Sequence, residues 1–345
     1  MGATTGISWA DRTKSKWHGC AHAILDDGTK HPGCQNCYAE IGSSRNPGTL
    51  GKWGPDGTRV PSKSFDVECR KWQKLAEEQN TIFSVFPSIH DPFEVRPELD
   101  PLRLEMFEII DECPNLLFLL LTKRPGDILS QWPGGPKFFR PNVALGASIS
   151  NQKTAQELTM KLIRASAISP LLFVSAGPLL DFIDLENLDN GAGEKYNALT
   201  GEVTIERAGE DPHTFRASDT KPLGWVVVEG ESTDRARPCA PALVRNLRDQ
   251  CRRSKTPFHW KQWGEWLPYE MSATPPFWQS QAGDLFDGNL LPDLTDHEPV
   301  GEWYAPALDG VIYRKVGKSK AGAMLDGELI QEFPELIKGL KSCAT

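Results

Sequence analysis

The 345-residue chain contains no apolar run approaching the roughly 20 residues that cross a bilayer, so no membrane-spanning helix is expected. Its first residues, Met1-Gly2-Ala3-Thr4-Thr5-Gly6, lack the basic and apolar regions of a signal peptide. A cytoplasmic location is therefore expected. Positive charge is not in excess: 38 Lys and Arg against 46 Asp and Glu leave a net charge of -8, which argues against a protein that coats nucleic acid unspecifically. Eight cysteines are too few and too unevenly spaced for a disulfide framework in a chain of this length. Internal repeats and low-complexity tracts are absent too, which leaves out solenoid architectures.

What is present begins with the cysteines. Cys69, Cys113, Cys239, Cys251 and Cys343 are scattered and read as small buried hydrophobes. Cys20, Cys34 and Cys37 share twenty residues with His18, His22 and His31, which favours a metal-ligand role. The spacing Cys20-x13-Cys34-x2-Cys37 has two readings. As a zinc staple it takes one of the three histidines to complete a Cys3His tetrahedron. As an iron-sulfur site, three thiolates hold three irons of a four-iron cluster and leave the fourth open for a chelating cofactor. The position of the cysteines, in a loop leading into a series of βα units, weighs toward the second.

Further along, short β-like runs alternate with helical patterns, the mark of a parallel sheet with helices outside it. The β runs are 81–86, 116–121, 143–149, 171–175, 225–228 and 258–260, several of them apolar throughout, as strands covered on both faces are. Helical stretches cover 66–79, 101–111, 154–166 and 241–253. With a first strand or loop before the cysteines, this predicts an α/β fold: a partial (β/α)6 TIM-like barrel over residues 1–266, or else a doubly wound sheet. A polar insertion is expected at about 184–221, with a hairpin near 201–208, and a C-terminal appendage over 267–345. In such folds ligands gather beyond the carboxyl ends of the strands. There this chain carries Ser88, His90, Asp91, Thr122, Lys123, Arg124, Ser148, Ser150, Glu229, Glu231 and Ser232.

Between Arg235 and Lys261, eight basic residues face one acidic residue, Asp249. The plain reading is a solvated helix face, while a phosphate-binding surface is the sharper alternative. Trp260, Trp263 and Trp266 admit the same pair of readings, core packing or stacking on bases. Tyr38, directly after the last clustered cysteine, can stack on an adenine ring or pack against the helix that follows it.

The residues just quoted, taken in order, resemble a phage-associated three-cysteine family of radical S-adenosylmethionine enzymes. The likeness runs over about residues 5–266. It includes Ile7-Ser8-Trp9-Ala10-Asp11, the cysteine segment, Leu121-Thr122-Lys123-Arg124-Pro125, Asn142-Val143-Ala144-Leu145-Gly146-Ala147-Ser148, and Gly230-Glu231-Ser232 with Ala236-Arg237-Pro238. It ends with Val244-Arg245-Asn246-Leu247-Arg248-Asp249-Gln250-Cys251 and Lys261-Gln262-Trp263-Gly264. The resemblance implies a radical-enzyme partial barrel, a [4Fe-4S] cluster on Cys20, Cys34 and Cys37, and S-adenosyl-L-methionine as cofactor. Tyr38, Ser88, Asp91, Ser148 and Glu231 are the candidate cofactor contacts.

Two departures stand out. Ala176-Gly177 occupy the place before Pro178-Leu179-Leu180 where the family commonly has an acid, and no Gly-Gly-Glu segment follows the first long β run, so Ser88 and Asp91 are the nearest substitutes. Within the family the likeness is to the isomerase of phage thymidine hypermodification, which turns an N-linked glycinylthymidine into its Cα-linked isomer and so helps shield viral DNA from host restriction. Modified viral DNA and an electron donor such as flavodoxin or ferredoxin are the implied partners. A radical enzyme on a tRNA, peptide or nucleotide, and a zinc-stapled DNA-binding module, are the competing expectations.

Overall fold

Seven parallel strands form one curled sheet, a half-barrel. In chain order they are β1 (Arg12–Thr13), β2 (Phe83–Phe86), β3 (Leu116–Thr122), β4 (Val143–Ile149), β5 (Leu171–Ala176), β6 (Trp225–Glu229) and β7 (Phe258–Gln262), and their spatial order is the same. The computed structural model describes residues 5–189, 193–207, 209–218, 220–268 and 311–337. It also describes the strands Phe277–Ser280, Leu285–Asp287, His297–Pro299 and Trp303–Tyr304. Among these residues no helix is long and apolar enough to cross a membrane. The mixed α/β class and the partial barrel expected from the β runs are what the chain adopts.

The strands are apolar throughout because both faces are covered. Alternate residues serve two separate cores. Leu116, Phe118 and Leu120 of β3, with Leu172 and Val174 of β5 and Val226 and Val228 of β6, point outward to the helices. Leu117, Leu119, Phe173, Trp225 and Val227 point into the barrel, where they meet Trp9 from the N-terminal segment.

After α1 (Tyr38–Arg45), helices α2 (Phe65–Glu78), α3 (Asp100–Glu112) and α4 (Pro241–Ser254) lie within one or two residues of their expected positions. In α2, Phe65, Cys69, Trp72, Gln73 and Ala76 repeat at helical spacing and form the buried stripe. In α4, Pro241 opens the helix and Lys255, in the left-handed conformation, closes it.

The helix expected over 154–166 is broken. It runs as Gln152–Thr154, then a π turn over Ala155–Thr159, then Met160–Ile163 and a 3-10 turn at Ser166–Ile168. Asn151 and Thr154 cap its start reciprocally, a local signal that the expected start at 154 overlooked. The insertion is also more ordered than a hairpin. Leu188–Asp189, Lys195–Asn197, Glu202–Ile205 and His213–Arg216 make a four-stranded antiparallel sheet.

Of the segment 267–345, residues 338–345 and much of 269–310 lie outside the described residues. The strand-like run expected over 310–316 holds the strand Tyr313–Lys315. Residues 330–332 bond to the free edge of β7: Trp260 N donates to Ile330 O at 2.8 Å and Glu332 N to Phe258 O at 3.0 Å. Phe333 and Ile337 then join the inner core beside Trp225.

Candidate active site

Because side chains alternate along a strand, the inner face of the barrel can be followed upward from its apolar floor. Leu117, Leu119 and Leu121 lead to Lys123. Gly146 leads to Ser148, Phe173 to Ser175, Trp225 and Val227 to Glu229, and His259 to Lys261. The floor is aromatic and the top is polar, so the carboxyl ends of the strands border a cavity of about 460 Å³. All eight candidate metal and cofactor residues line it: Cys20, Cys34, Cys37, Tyr38, Ser88, Asp91, Ser148 and Glu231.

Cys34 is buried, and Cys20 and Cys37 are half-buried. Burial pushes the Cys20 thiol up to about 12, with Asp91 adding to the rise and Arg124 opposing it; burial raises Cys37 as well. Lys123 stands among all three sulfurs. Burial works against its charge, yet Cys34, Cys37, Cys20 and Asp91 together raise its pKa.

The histidines are turned to other tasks. His31 is fully buried: its Nε2 donates to Ser148 O and its Nδ1 accepts from Gly33 N, both at 3.0 Å, and burial holds it neutral down to about 3. His22 Nε2 pairs with Glu40 at 2.8 Å and His18 Nδ1 with Thr49 O at 3.0 Å. None of the three lines the cavity. Among the described residues no three His, Cys, Asp or Glu side chains gather as they would around a single metal ion.

Three carboxylate–arginine pairs hold the cysteine loop in place. Glu94 pairs with Arg59, both almost fully buried, and accepts from Ala21 N at 3.1 Å. Asp91 accepts from Thr122 Oγ1 at 2.6 Å, Phe93 N at 3.0 Å, Lys123 N at 3.1 Å and Arg124 Nη1 at 2.8 Å. Arg124 then reaches the loop, donating to Ala21 O at 2.8 Å and lying 3.7 Å from Cys20 Sγ. Glu231 accepts from Arg237 Nη2 at 2.7 Å and Asn36 Nδ2 at 3.2 Å, and Arg237 donates to Pro32 O at 3.0 Å and to Gln35 Oε1 at 3.1 Å. Asp91 and Glu231 thus border the cavity with carboxylates already engaged by protein groups.

The loops after β6 and β7 approach at Gly230 and Gly264. A Cβ at Gly230 would lie 1.9 Å from Trp263 O, and one at Gly264, where φ is +85°, would lie 2.0 Å from Glu231 O. Only glycine permits that approach. Tyr38 is half exposed at the mouth, and its hydroxyl donates to Ser88 O at 2.6 Å.

The basic run and the tryptophans follow their plain readings. The arginines of α4 are committed to protein carboxylates: Arg245 and Arg248 to Asp326, Arg252 to Glu328 and Arg253 to Glu186. They form the salt-bridged helix face that is the plain reading of this run. Trp260 and Trp263 are fully buried with ring centroids 4.7 Å apart, and Trp266 Nε1 donates to Ala236 O at 2.7 Å, so this trio is packing and not a stacking platform.

Glu229, Lys261, Ser175 and His90 also line the cavity; Glu229 and His90 are among the polar strand ends read from the sequence, whereas Ser175 and Lys261 are not. Strand parity is the signal that finds the first three. His90 is buried with neither ring nitrogen hydrogen-bonded, its ring 4.1 Å from that of Trp17.

Comparison with curated proteins and with solved structures yields no match. A family model does match, over residues 4–334, which takes in the half-barrel, the cysteine loop and the segment that covers the edge of β7. The chain belongs to the family described as Protein of unknown function (DUF5131).

Proposed function

We propose that this protein is a radical S-adenosylmethionine enzyme that isomerises N-linked glycinylthymidine to the Cα-linked form in phage DNA. Cys20, Cys34 and Cys37 would hold a [4Fe-4S] cluster. The observation that carries this reading is the convergence of the three thiols on one cavity at the carboxyl ends of the half-barrel strands. The donor set suits the group. Three thiols line the cavity and none of His18, His22 or His31 does. Three cysteines without a histidine are the donors that a four-iron cluster with one open iron would take.

When bound, the cluster and S-adenosylmethionine supply a one-electron route for removing a hydrogen from the glycyl α-carbon, which is too weakly acidic for a side-chain base. The chain's own part is holding and shielding. Lys123 places a cation among the thiols, where it offsets the negative charge of thiolates. Trp9, Phe86, Phe173 and Trp225 close the floor against water. Asp91, Glu94 and Glu231 fix the cysteine loop over the cavity through their arginines. A thymine derivative has to leave the duplex to enter such a cavity. The ordered family-like segments support the substrate and an electron donor of the flavodoxin or ferredoxin kind. Glu229 stands against Gly177, where the family's acid is missing: a Cβ there would lie 2.7 Å from Glu229 Oε1.

Anaerobic reconstitution of the full chain with iron and sulfide tests the proposal. The expected result is a brown protein that cleaves S-adenosylmethionine under dithionite, with cluster and turnover lost together in Cys34→Ala and Cys37→Ala. A colourless protein holding only stoichiometric zinc would overturn it.

A further inference from the structure

Ion pairs at the cavity wall differ in what they leave free. Asp91 and Glu231 are each held by an arginine and by further donors, as described above. The third pair, Glu229 with Lys261, stands apart. Its members come from adjacent strands, β6 and β7, where the register between the two shifts, and both line the cavity above the aromatic floor. Lys261 Nζ donates to Glu229 Oε2, and the two side chains keep 17% and 21% of their surface exposed. Among the described residues this is the one hydrogen bond that either charged group makes. An ammonium has three donors and a carboxylate about four acceptor sites, so most of the pair's capacity faces the cavity. Gly177 makes room for it: any side chain there would displace the Glu229 carboxylate.

A neutral but strongly dipolar pair selects a ligand with the opposite dipole. A lone phosphate or carboxylate drawn to Lys261 meets Glu229 at contact distance, and a lone amine drawn to Glu229 meets Lys261. A group carrying both charges one carbon apart satisfies the two together, amine on Glu229 and carboxylate on Lys261. We infer that Glu229 and Lys261 are the receptor for the α-amino-acid zwitterion of the substrate. The inference rests on the proposed function for its substrate, in which the N-linked glycyl group and its Cα-linked isomer are both such zwitterions. S-adenosylmethionine also ends in one. A competition arm in the test therefore distinguishes the two.

The test is binding to the full chain of three small probes: N-benzylglycine with both charges, N-methylbenzylamine with the cation alone, and 3-phenylpropanoate with the anion alone. N-benzylglycine is expected to bind at least tenfold more tightly than either single-charge probe. Glu229→Gln should remove that preference over 3-phenylpropanoate, and Lys261→Met the preference over N-methylbenzylamine. The double exchange Glu229→Lys with Lys261→Glu should restore it, which guards against single variants that merely fold poorly. Equal binding of the three probes, or full competition between N-benzylglycine and S-adenosylhomocysteine, overturns the inference. None of these measurements needs cluster or turnover. A wild-type protein that fails to cleave S-adenosylmethionine is a failure of the proposed function alone, and a missing zwitterion preference leaves the cluster reading standing.

Discussion

Single buried charges decide where the cysteine loop sits. Glu94 and Arg59 are 3% and 1% exposed, and the loop hangs on Glu94 through Ala21 N. Removing one partner of such a pair strands the other without water, at a cost of about 3–5 kcal/mol. Arg59→Met is therefore expected to lower the unfolding free energy by that order in denaturant titration, and a loss under about 1 kcal/mol would show that the pair is not structural. His90 makes a second prediction. Burial depresses its pKa to about 3, opposed by Asp91 and assisted by His18 and Arg103. Between about 6.5, its value in the unfolded chain, and 3 the unfolded state binds the extra proton, so the folded state loses stability as pH falls through that window. The loss tends to about 1.4 kcal/mol per pH unit for one histidine. His90→Phe keeps a ring against Trp17 and is expected to flatten the stability profile between pH 6 and 5 by about that slope.

At the scale of elements, the basic helix and the glycine crossing carry opposite lessons. The charge run of α4 could be read from its residues, but its partners Glu186, Asp326 and Glu328 come from segments 67 to 81 positions away in either direction, beyond any local pattern. Each phosphate contact contributes about 0.9 to the salt slope of duplex binding. Replacing Arg252 and Arg253 by Gln should shift the slope for plain DNA by well under 1, where a true phosphate grip would lose about 2. In the crossing of the loops after β6 and β7, Gly264→Ala adds both a strained positive φ and a backbone clash. A loss of about 3 kcal/mol or more is expected, measured by thermal unfolding.

For the molecule as a whole, the half-barrel has two edges, and the chain covers the one at β7 with its own distant segments. Ser8 Oγ lies 2.9 Å from His259 Nε2, residues 330–332 bond along β7, and Trp225 Nε1 donates to Glu332 O at 2.9 Å. An exposed parallel edge with an aromatic core behind it invites aggregation. Deleting residues 311–345 is expected to give an insoluble chain or one without a cooperative unfolding transition. Circular dichroism on heating follows that transition.

The positions of the six long strands and of helices α2, α3 and α4 were legible in the residues alone, because apolar period and helix-start signals are local. The three cysteines announced a site in the same way, through their proximity in the chain. What the tertiary structure decided was pairing across distance: which charges neutralise one another, which histidines are spent on backbone groups, and which inward positions share a cavity. Arg237 meets Pro32 across 205 positions, and nothing in either neighbourhood calls for the other. The polar top of the barrel lies between these cases. Strand parity alone points Lys123, Ser148, Ser175, Glu229 and Lys261 the same way, but only the curl of the sheet turns five parallel directions into one cavity.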